Sequence, residues 1–203
     1  MSWEVARTLE ARGDALARWI SVQLPCEFQN GIDHLQQALK AHQPDIVLCL
    51  GQAEGRSRIS LERVAVNLRD ARIPDNAGRQ PLDEPVVSGG PYAYPSGLPV
   101  RDLAARLVAE GYPVEISNSA GTFVCNDVFY GLMHHTRGQA RAAGFVHLPI
   151  APEQLRADAS RSDHRDDAPR STTGVTPCVD LAIQVATIAR LGALLGTVIE
   201  ASR

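Results

Sequence analysis

The sequence predicts an α/β fold: a single-domain α/β/α sandwich in which helices cover both faces of an open, twisted, mainly parallel sheet. Two observations favour it. Short apolar runs that end in glycine or proline alternate along the chain with amphipathic segments of helical period. The 203 residues are 44% hydrophobic, which is enough to bury one core. We therefore expect one domain over residues 1–203.

The first half of the chain alternates between the two kinds of segment. A helix is predicted over residues 2–13, where Ser2 is a plausible N-cap and Gly13 a stop. Residues 17–25, "ARWISVQLP", are expected to form a strand. A helix follows over residues 31–43 and ends before Pro44. The continuous apolar run "DIVLCLG" is typical of a strand covered on both faces.

The second half continues the alternation. The pattern of "ERVAVNL" indicates a strand, and residues 99–111 a helix that begins at Pro99 and ends at Gly111. The segments "VEIS" and "GFVHLP" are predicted strands, and a helix begins near Cys125 between them. The last element is a long, mostly buried helix over residues 178–201.

Three features fall outside this regular order. Residues 70–97 are rich in turn signals but carry Ile73, Tyr92 and Tyr94, so we expect this segment to be packed. Residues 151–174 are polar and are expected to be irregular and mobile. The chain also opens on a helix without a preceding strand, as if the first strand of the fold were missing.

Composition excludes several classes of protein. The net charge is −3 with acids and bases interleaved, so no basic surface favours nucleic-acid binding. The first residues lack the apolar core of a signal peptide, and the longest apolar stretch, near Leu191, is expected to be too short to cross a bilayer. The four cysteines are widely spaced without a C-x-x-C pair, which predicts reduced thiols in a cytoplasmic protein.

Three residues near strand ends could carry chemistry. Cys125 follows the strand "VEIS" and a turn, so it lies near a helix N-terminus, where the dipole and free N–H groups lower a thiol pKa and can bind an oxyanion. His147 ends the strand "GFVHLP", and Glu62 begins "ERVAVNL". Each alone is more often structural: a packed thiol, a core imidazole, a solvated carboxylate. Together they form a possible Cys–His–Glu triad.

The segments around these residues resemble a known family. The blocks "GQAEGRSRISLERVAVNLRDARIPDNAGRQP", "SNSAGTFVCNDVFYGLMH" and "GFVHLPIAPEQ" are similar, in order and spacing, to the signature blocks of pyroglutamyl peptidase type I, also called pyrrolidone-carboxylate peptidase. The resemblance extends from Ser2 to about Gln154. It implies a cysteine hydrolase that removes N-terminal pyroglutamyl residues from peptides, with Cys125 as nucleophile, His147 as base and Glu62 as the third member.

The resemblance also implies the rest of the site. Arg72 would assist the backbone N–H groups that hold the oxyanion. The residues expected to contact the substrate ring are Gln52, Ile73, Phe123 and Val124. No metal or cofactor is implied, the partners are peptides with N-terminal pyroglutamate rather than nucleic acids or membranes, and the family commonly forms tetramers.

The chain departs from the family pattern at its start, at Glu54, at Asp127 and in a shortened loop before "AAGFVH". It begins "MSWE", where family members have an upstream strand and a G-F-x-P-F-G-G loop that supplies pocket walls, and Met1 need not be the true start. Asp127 stands where a histidine is common after "VCN". Two hypotheses therefore follow. The chain is either a working pyroglutamyl peptidase or a catalytically impaired, structural homologue with an incomplete substrate pocket.

Overall fold

The computed structural model describes residues 1–13, 17–137, 142–159 and 177–201. The helices are α1 (Ser2–Arg12), α2 (Asn30–His42), α3 (Val100–Ala109), α4 (Val124–Thr136), α5 (Pro152–Ala159) and α6 (Leu181–Ala201). The strands are β1 (Ile46–Gln52), β2 (Ile59–Glu62), β3 (Val64–Val66), β4 (Ala93–Pro95), β5 (Val114–Ser117) and β6 (Ala142–Leu148).

The main sheet has four strands in the order β1-β6-β2-β5. The pairs β1–β6 and β2–β5 are parallel, whereas β2 runs antiparallel to β6. The predicted mainly parallel sheet is thus confirmed, with one antiparallel junction at its centre. Strands β3 and β4 form a separate antiparallel pair beside it.

Helices cover both faces of the sheet and bury two apolar clusters. On one face, α2 and α4 enclose a cluster that includes Leu35, Phe129 and Phe145. On the other, α1, α3 and α6 enclose a cluster that includes Leu9, Leu103 and Leu191. Because successive side chains of a strand point to opposite faces, β6 contributes Phe145 to the first cluster and Val146 to the second. This layered arrangement confirms the predicted fold class.

The predicted strand over residues 17–25 is wrong, because this segment has no regular secondary structure. Its contacts are with helices instead of a strand. The indole of Trp19 lies against Gly192 of α6, and the Ser21 hydroxyl donates a 2.8 Å hydrogen bond to the carbonyl oxygen of Ala6 in α1. An apolar, β-branched composition alone therefore did not produce a strand here, since a strand also needs a hydrogen-bonding neighbour.

The single strand predicted over residues 62–68 is in fact two strands that meet at Arg63. The N–H of Arg63 donates to the carbonyl of Ser117, whereas its carbonyl accepts from the N–H of Ser96, both at 2.8 Å. The backbone thus changes partner at this residue, from β5 in the main sheet to the neighbourhood of β4. Glu62 consequently ends β2 and does not begin a strand.

Both segments predicted to be irregular contain short elements. Residues 70–97 include β4 and pack through Tyr94, which is 8% exposed, but Ile73 and Tyr92 are exposed, contrary to expectation. In the second segment, Pro152 starts α5 and the Gln154 side chain accepts a hydrogen bond from the N–H of Ala151, half of a capping box. The rest of the mobility prediction, from residue 160, lies outside the described residues.

Helix α6 corrects one further expectation. Its stretch Leu181–Ile199 has a mean hydropathy of 1.7, so by length and composition it could cross a membrane. Within the fold this helix packs against α1, α3, β1 and β6, and its inward side chains Val185, Ile188 and Leu195 are fully or almost fully buried. Its apolar character is that of a helix in the core of the sandwich.

Candidate active site

The pleat of the sheet places three of the candidate positions on one face. Ser60 of β2 is directly opposite His147 of β6, so Glu62, two residues further along β2, is a diagonal neighbour of His147 on the same face. Gly51 of β1 pairs in register with His147 and shares that face as well. This is the face that α4 covers, and α4 carries Cys125 near its start.

Glu62 and His147 form a buried hydrogen-bonded pair. The Nδ1 atom of His147 lies 2.8 Å from Oε1 of Glu62. Glu62 is 0% exposed and His147 is 3% exposed. Arg56 also contacts Oε1, at 3.0 Å through Nη1. Among the described residues, Oε2 of Glu62 has no hydrogen-bond partner. If Nδ1 carries the proton that Glu62 accepts, Nε2 of the imidazole is left as a base.

The thiol of Cys125 lies over Gly51. A Cβ atom built on Gly51 would be 3.0 Å from Sγ of Cys125 and 2.8 Å from Cζ of Phe145. Any side chain at position 51 would therefore displace the thiol. Because Gly51 and His147 are register partners on one face, the absence of a side chain at Gly51 brings the thiol over the strand beside the imidazole.

The electrostatic setting of Cys125 differs from the sequence-based expectation. Burial, followed by the charges of Cys26 and Glu62, raises the pKa of the Cys125 thiol to about 12, against a lowering by Arg56. The prediction that the helix N-terminus lowers the pKa of Cys125 is therefore wrong, because the pKa is raised overall. A thiol of this kind is protonated at neutral pH and needs a base to become a nucleophile.

The first turn of α4 is free to bind an anion through its backbone. Within the part of the chain that the structure describes, no side chain caps the helix at Phe123, and the first helical hydrogen bond runs from the N–H of Asp127 to the carbonyl of Phe123. The N–H groups that precede Asp127 in this turn thus have no intrahelical partner. The side chain of Asn126 holds this turn against β3. Its Oδ1 accepts a 3.0 Å hydrogen bond from the N–H of Val66, and its Nδ2 donates a 2.9 Å hydrogen bond to the carbonyl of Val66.

Three backbone segments surround Cys125. Asp70 and Thr122 are joined by two hydrogen bonds, which tie the loop after β3 to the turn before α4. The carboxylate of Asp75 accepts a 2.8 Å bond from the N–H of Phe28, which ties the same loop to residues 26–29. The ring of Phe28 in turn packs edge-on against Phe123, with centroids 5.2 Å apart. Together these contacts form an apolar-walled rim in front of the thiol.

The sequence model of the family described as pyroglutamyl peptidase matches residues 1–187 of this chain. The chain belongs to the pyroglutamyl peptidase family. Pyrrolidone-carboxylate peptidase of Chromobacterium violaceum is 54% identical over 153 residues, which are 75% of this chain and 71% of that protein. The Bacillus cereus (strain Q1) protein of the same name is 43% identical over 188 residues, 92% of this chain and 85% of that one.

Solved structures agree with this assignment. The crystal structure of Bacillus amyloliquefaciens pyroglutamyl peptidase I superposes with a TM-score of 0.82 at 36% identity, covering 96% of this chain and 88% of that one. The crystal structure of a mutant pyrrolidone carboxyl peptidase from Pyrococcus furiosus gives 0.82 at 34% identity, over 96% and 88%. The family resemblance drawn from the sequence blocks and the fold class are both confirmed.

In this member of the pyroglutamyl peptidase family, the predicted substrate-contact residues differ in burial and in the elements that carry them. Phe123 adjoins the thiol, and Gln52 ends β1, where its Oε1 accepts a 3.0 Å bond from Gln154. Val124 is 4% exposed and lies near Gly31 at the start of α2. Ile73 is 52% exposed, and Arg72 is exposed on the same loop.

Three residues that contribute to the site geometry were not anticipated. Arg56 contacts Glu62 from the turn between β1 and β2, Gly51 makes space for the thiol, and Phe28 supports the rim. The sequence block "GQAEGRSRIS" contains two of them, but nothing in its composition indicates which side chains turn toward the sheet. A glycine at the carboxyl end of an apolar strand was the one signal that could have identified Gly51.

Proposed function

We propose that this chain hydrolyses the amide bond that follows an N-terminal pyroglutamyl residue, with Cys125 as nucleophile, His147 as general base and acid, and Glu62 as the third member of the triad. The observation that carries the proposal is the buried contact of 2.8 Å between His147 and Glu62, on the sheet face that the Cys125 thiol also occupies. The names of the relatives, pyrrolidone-carboxylate peptidase and pyroglutamyl peptidase I, support the same reaction.

The first half of the reaction forms a thioester. His147 takes the thiol proton as Sγ of Cys125 attacks the carbonyl carbon between the pyroglutamyl ring and the next residue. Because the raised pKa keeps the Cys125 thiol protonated before the reaction, the proton moves to His147 at the same time as Sγ attacks the carbonyl carbon. The oxyanion is held by unpaired N–H groups in the first turn of α4, with Arg72 as a charged assistant. His147 then protonates the leaving amine.

The second half releases the ring as 5-oxoproline. Water loses a proton to His147 and attacks the thioester carbonyl. As the bond from the carbonyl carbon to Sγ breaks, His147 returns that proton to the leaving thiolate of Cys125. Glu62 orients the imidazole through Nδ1 and stabilises its charged form in both halves. Arg56 contacts the same Oε1 of Glu62 and so places a positive charge beside the carboxylate. No step uses a metal or cofactor.

The substrate ring is small, neutral and partly apolar, so its pocket needs apolar walls and a few polar partners. Phe123 and Phe28 supply an apolar wall beside the thiol. Gln52, Val124 and Ile73 complete the proposed contacts, with the side chain of Gln52 as a partner for the lactam amide. A substrate without the lactam group would leave that partner unsatisfied and would be rejected.

The decisive experiment measures release of a chromogenic amine from a pyroglutamyl amide by the purified chain. We expect turnover by the wild type and a loss of at least about 1,000-fold in kcat for Cys125→Ser, because a serine hydroxyl is a poorer nucleophile in a site arranged for a thiol. Cys178→Ser, at an exposed thiol, is the matched control and should keep full activity. Absence of turnover by the wild type would favour the impaired homologue.

The location and assembly of the protein belong to the same proposal. Four free cysteines, two of them exposed, support a reducing, cytoplasmic compartment. The exposed apolar side chains of Leu82, Tyr92 and Val108 support self-association, which we propose gives a homotetramer. Light scattering on the purified chain measures the number of subunits, and a monomer would contradict this part.

A further inference from the structure

The first turn of α4 carries a buried ion pair directly behind the proposed nucleophile. Asp127, which is fully buried, accepts a 2.5 Å bond from Nε of Arg69 through Oδ1. Its other oxygen, Oδ2, accepts a 2.9 Å bond from the backbone N–H of Gln29. The guanidinium of Arg69, 5% exposed as a residue, reaches the same loop through a 3.0 Å bond from Nη2 to Oε1 of Gln29.

The three residues belong to three segments of the rim around Cys125. Gln29 ends the loop 26–29 in a positive-φ conformation (66°) that is strained for a residue other than glycine. Arg69 is fixed by two backbone bonds to Glu84 and directly precedes Asp70, which is tied to Thr122. The Asp127–Arg69 pair therefore joins α4 to both loops, in addition to the Asp75–Phe28 bond that joins the two loops to each other.

We infer that Asp127 and Arg69 are positioning residues: their ion pair fixes the loop 26–29 against the first turn of α4 and so sets the distance between the Phe28 wall and Cys125. This inference rests on the proposed function for its effect on catalysis. A wall held in place contributes to binding the pyroglutamyl ring equally in the ground and transition states, so its loss should appear in KM.

Alternative roles fit the contacts less well. Within the described part of the chain, the ion pairs of Asp127 and Arg69 do not include Glu62 or His147, so the pair does not act through the proton transfer. Asn126, one residue before Asp127, already fixes α4 against Val66 and Leu68. Asp127 adds a hydrogen bond from the backbone N–H of Gln29, and this bond attaches the loop 26–29 to α4.

The experiment compares Asp127→Asn, Arg69→Gln and the double variant with the wild type. Each single variant should raise KM for the pyroglutamyl amide by about fivefold or more while kcat changes less than about twofold. Because the pair acts as one unit, the double variant should raise KM no more than the worse single variant. Arg69→Lys keeps the positive charge but cannot donate to Asp127 and Gln29 at the same time, so its KM should lie between those of the wild type and Arg69→Gln. This variant tests the inference even if the neutral variants fold poorly.

Hydrogen exchange provides a second measurement that does not depend on turnover. Exchange of the amide hydrogens of Phe28 and Gln29 should be accelerated about tenfold in Asp127→Asn and in Arg69→Gln, because a released loop opens more often. Tyr130→Phe is the control. It removes a 2.7 Å bond from α4 to the carbonyl of Pro91, away from this loop, and should change neither KM nor the exchange at residues 28 and 29.

The outcomes separate the two proposals. Unchanged exchange at the loop 26–29 in both single variants overturns the inference, whatever the enzyme kinetics show. A fall in kcat at constant KM also overturns it, since the pair would then align the nucleophile and not the wall. Failure of the wild type to turn over the amide contradicts the proposed function alone, because exchange still decides whether the pair holds the loop.

Discussion

Gly51 is the residue on which the placement of the Cys125 thiol depends most directly. A methyl group at this position would lie 2.8 Å from the Phe145 ring, closer than Cβ atoms approach in proteins, and 3.0 Å from Sγ, which is tighter than most real contacts. Gly51→Ala should therefore displace the thiol and lower kcat/KM by roughly 100-fold, since small misplacements of reacting groups are costly. We expect a loss of stability of only about 1–3 kcal/mol, because flexible side chains absorb part of the clash.

Gly196→Ala is the matched control for this substitution. Gly196 lies inside α6, and a Cβ built there has no heavy atom within 4 Å. Alanine is the better helix former, so this variant should be more stable to denaturant by about 0.5–1 kcal/mol and keep full activity. An active Gly51→Ala enzyme, measured beside this control with the same substrate, would show that the thiol does not need the space over β1.

The pKa of the Cys125 thiol predicts how its reactivity depends on pH. Burial raises this pKa to about 12, with a further contribution from Cys26, so the thiolate is a small fraction at neutral pH. The rate of alkylation by iodoacetamide, followed at Cys125 by mass spectrometry, should rise about tenfold per pH unit from about pH 7 to 10 without a plateau. A plateau that begins below about pH 8 would contradict this and indicate a stable thiolate–imidazolium pair.

Cys26→Ser refines the same measurement. Because a Cys26 thiolate raises the pKa of Cys125, this variant should speed the alkylation of Cys125 at the alkaline end of the profile, above pH 9, where Cys26 itself ionises. It also removes an exposed thiol that would otherwise compete for the reagent. An unchanged profile would mean that the two thiols do not influence each other.

At the level of secondary-structure elements, the sequence predicted most helices and strands because their signals are local. Helix α3, for example, begins after Pro99, and the turn after it contains Gly111, as expected. The strand over residues 17–25 failed for a non-local reason: its composition suits a strand, but in the fold it packs on α1 and α6. Composition cannot state whether a strand will have a neighbour.

The candidate site shows the same limit at a finer level. Glu62, Cys125 and His147 could be proposed because each follows from a strand end or a helix start in the sequence. Their convergence depends on the antiparallel junction of β2 with β6, which makes Glu62 a diagonal neighbour of His147. Arg69 was missed because it makes its decisive contact with Asp127, 58 positions further along the chain. Arg56 is close to Glu62 in sequence, but it was missed because the sequence does not indicate which side chains of that turn point toward the sheet.

At the scale of the whole molecule, the two faces of the sheet have different roles. The face under α1, α3 and α6 carries an apolar cluster built around side chains such as Leu61, Leu103 and Leu191, and α6 adds the buried neutral polar residues Gln184 and Thr187. The other face combines an apolar cluster with the buried polar residues Glu62, Asn126, Asp127 and His147. Both clusters stabilise the fold, whereas the second face also accommodates the buried charge and titratable groups that the proposed chemistry needs.

The buried thiol of Cys49 and the partly buried thiol of Cys125, both on the second face, make the fold sensitive to alkaline pH. Burial raises the pKa of Cys49 from 9.0 to about 12. The folded chain keeps this proton above pH 9 whereas the unfolded chain loses it, so the contribution to stability is complete below pH 9 and decreases up to about pH 12. At about pH 10 the free energy of unfolding should already be lower by about 1.4 kcal/mol for this one group. Cys125 acts in the same direction.

Denaturant unfolding at about pH 7.5 and about pH 10 measures this effect. Cys49→Ala removes the titrating group, so the fall in unfolding free energy between the two pH values should be smaller than in the wild type by about 1.4 kcal/mol, even though the cavity lowers stability at both. Cys178→Ala, at an exposed position, should retain the fall seen in the wild type. If Cys49→Ala also retained it in full, the buried thiol would not be the source of the alkaline sensitivity, and groups elsewhere in the fold would have to account for it.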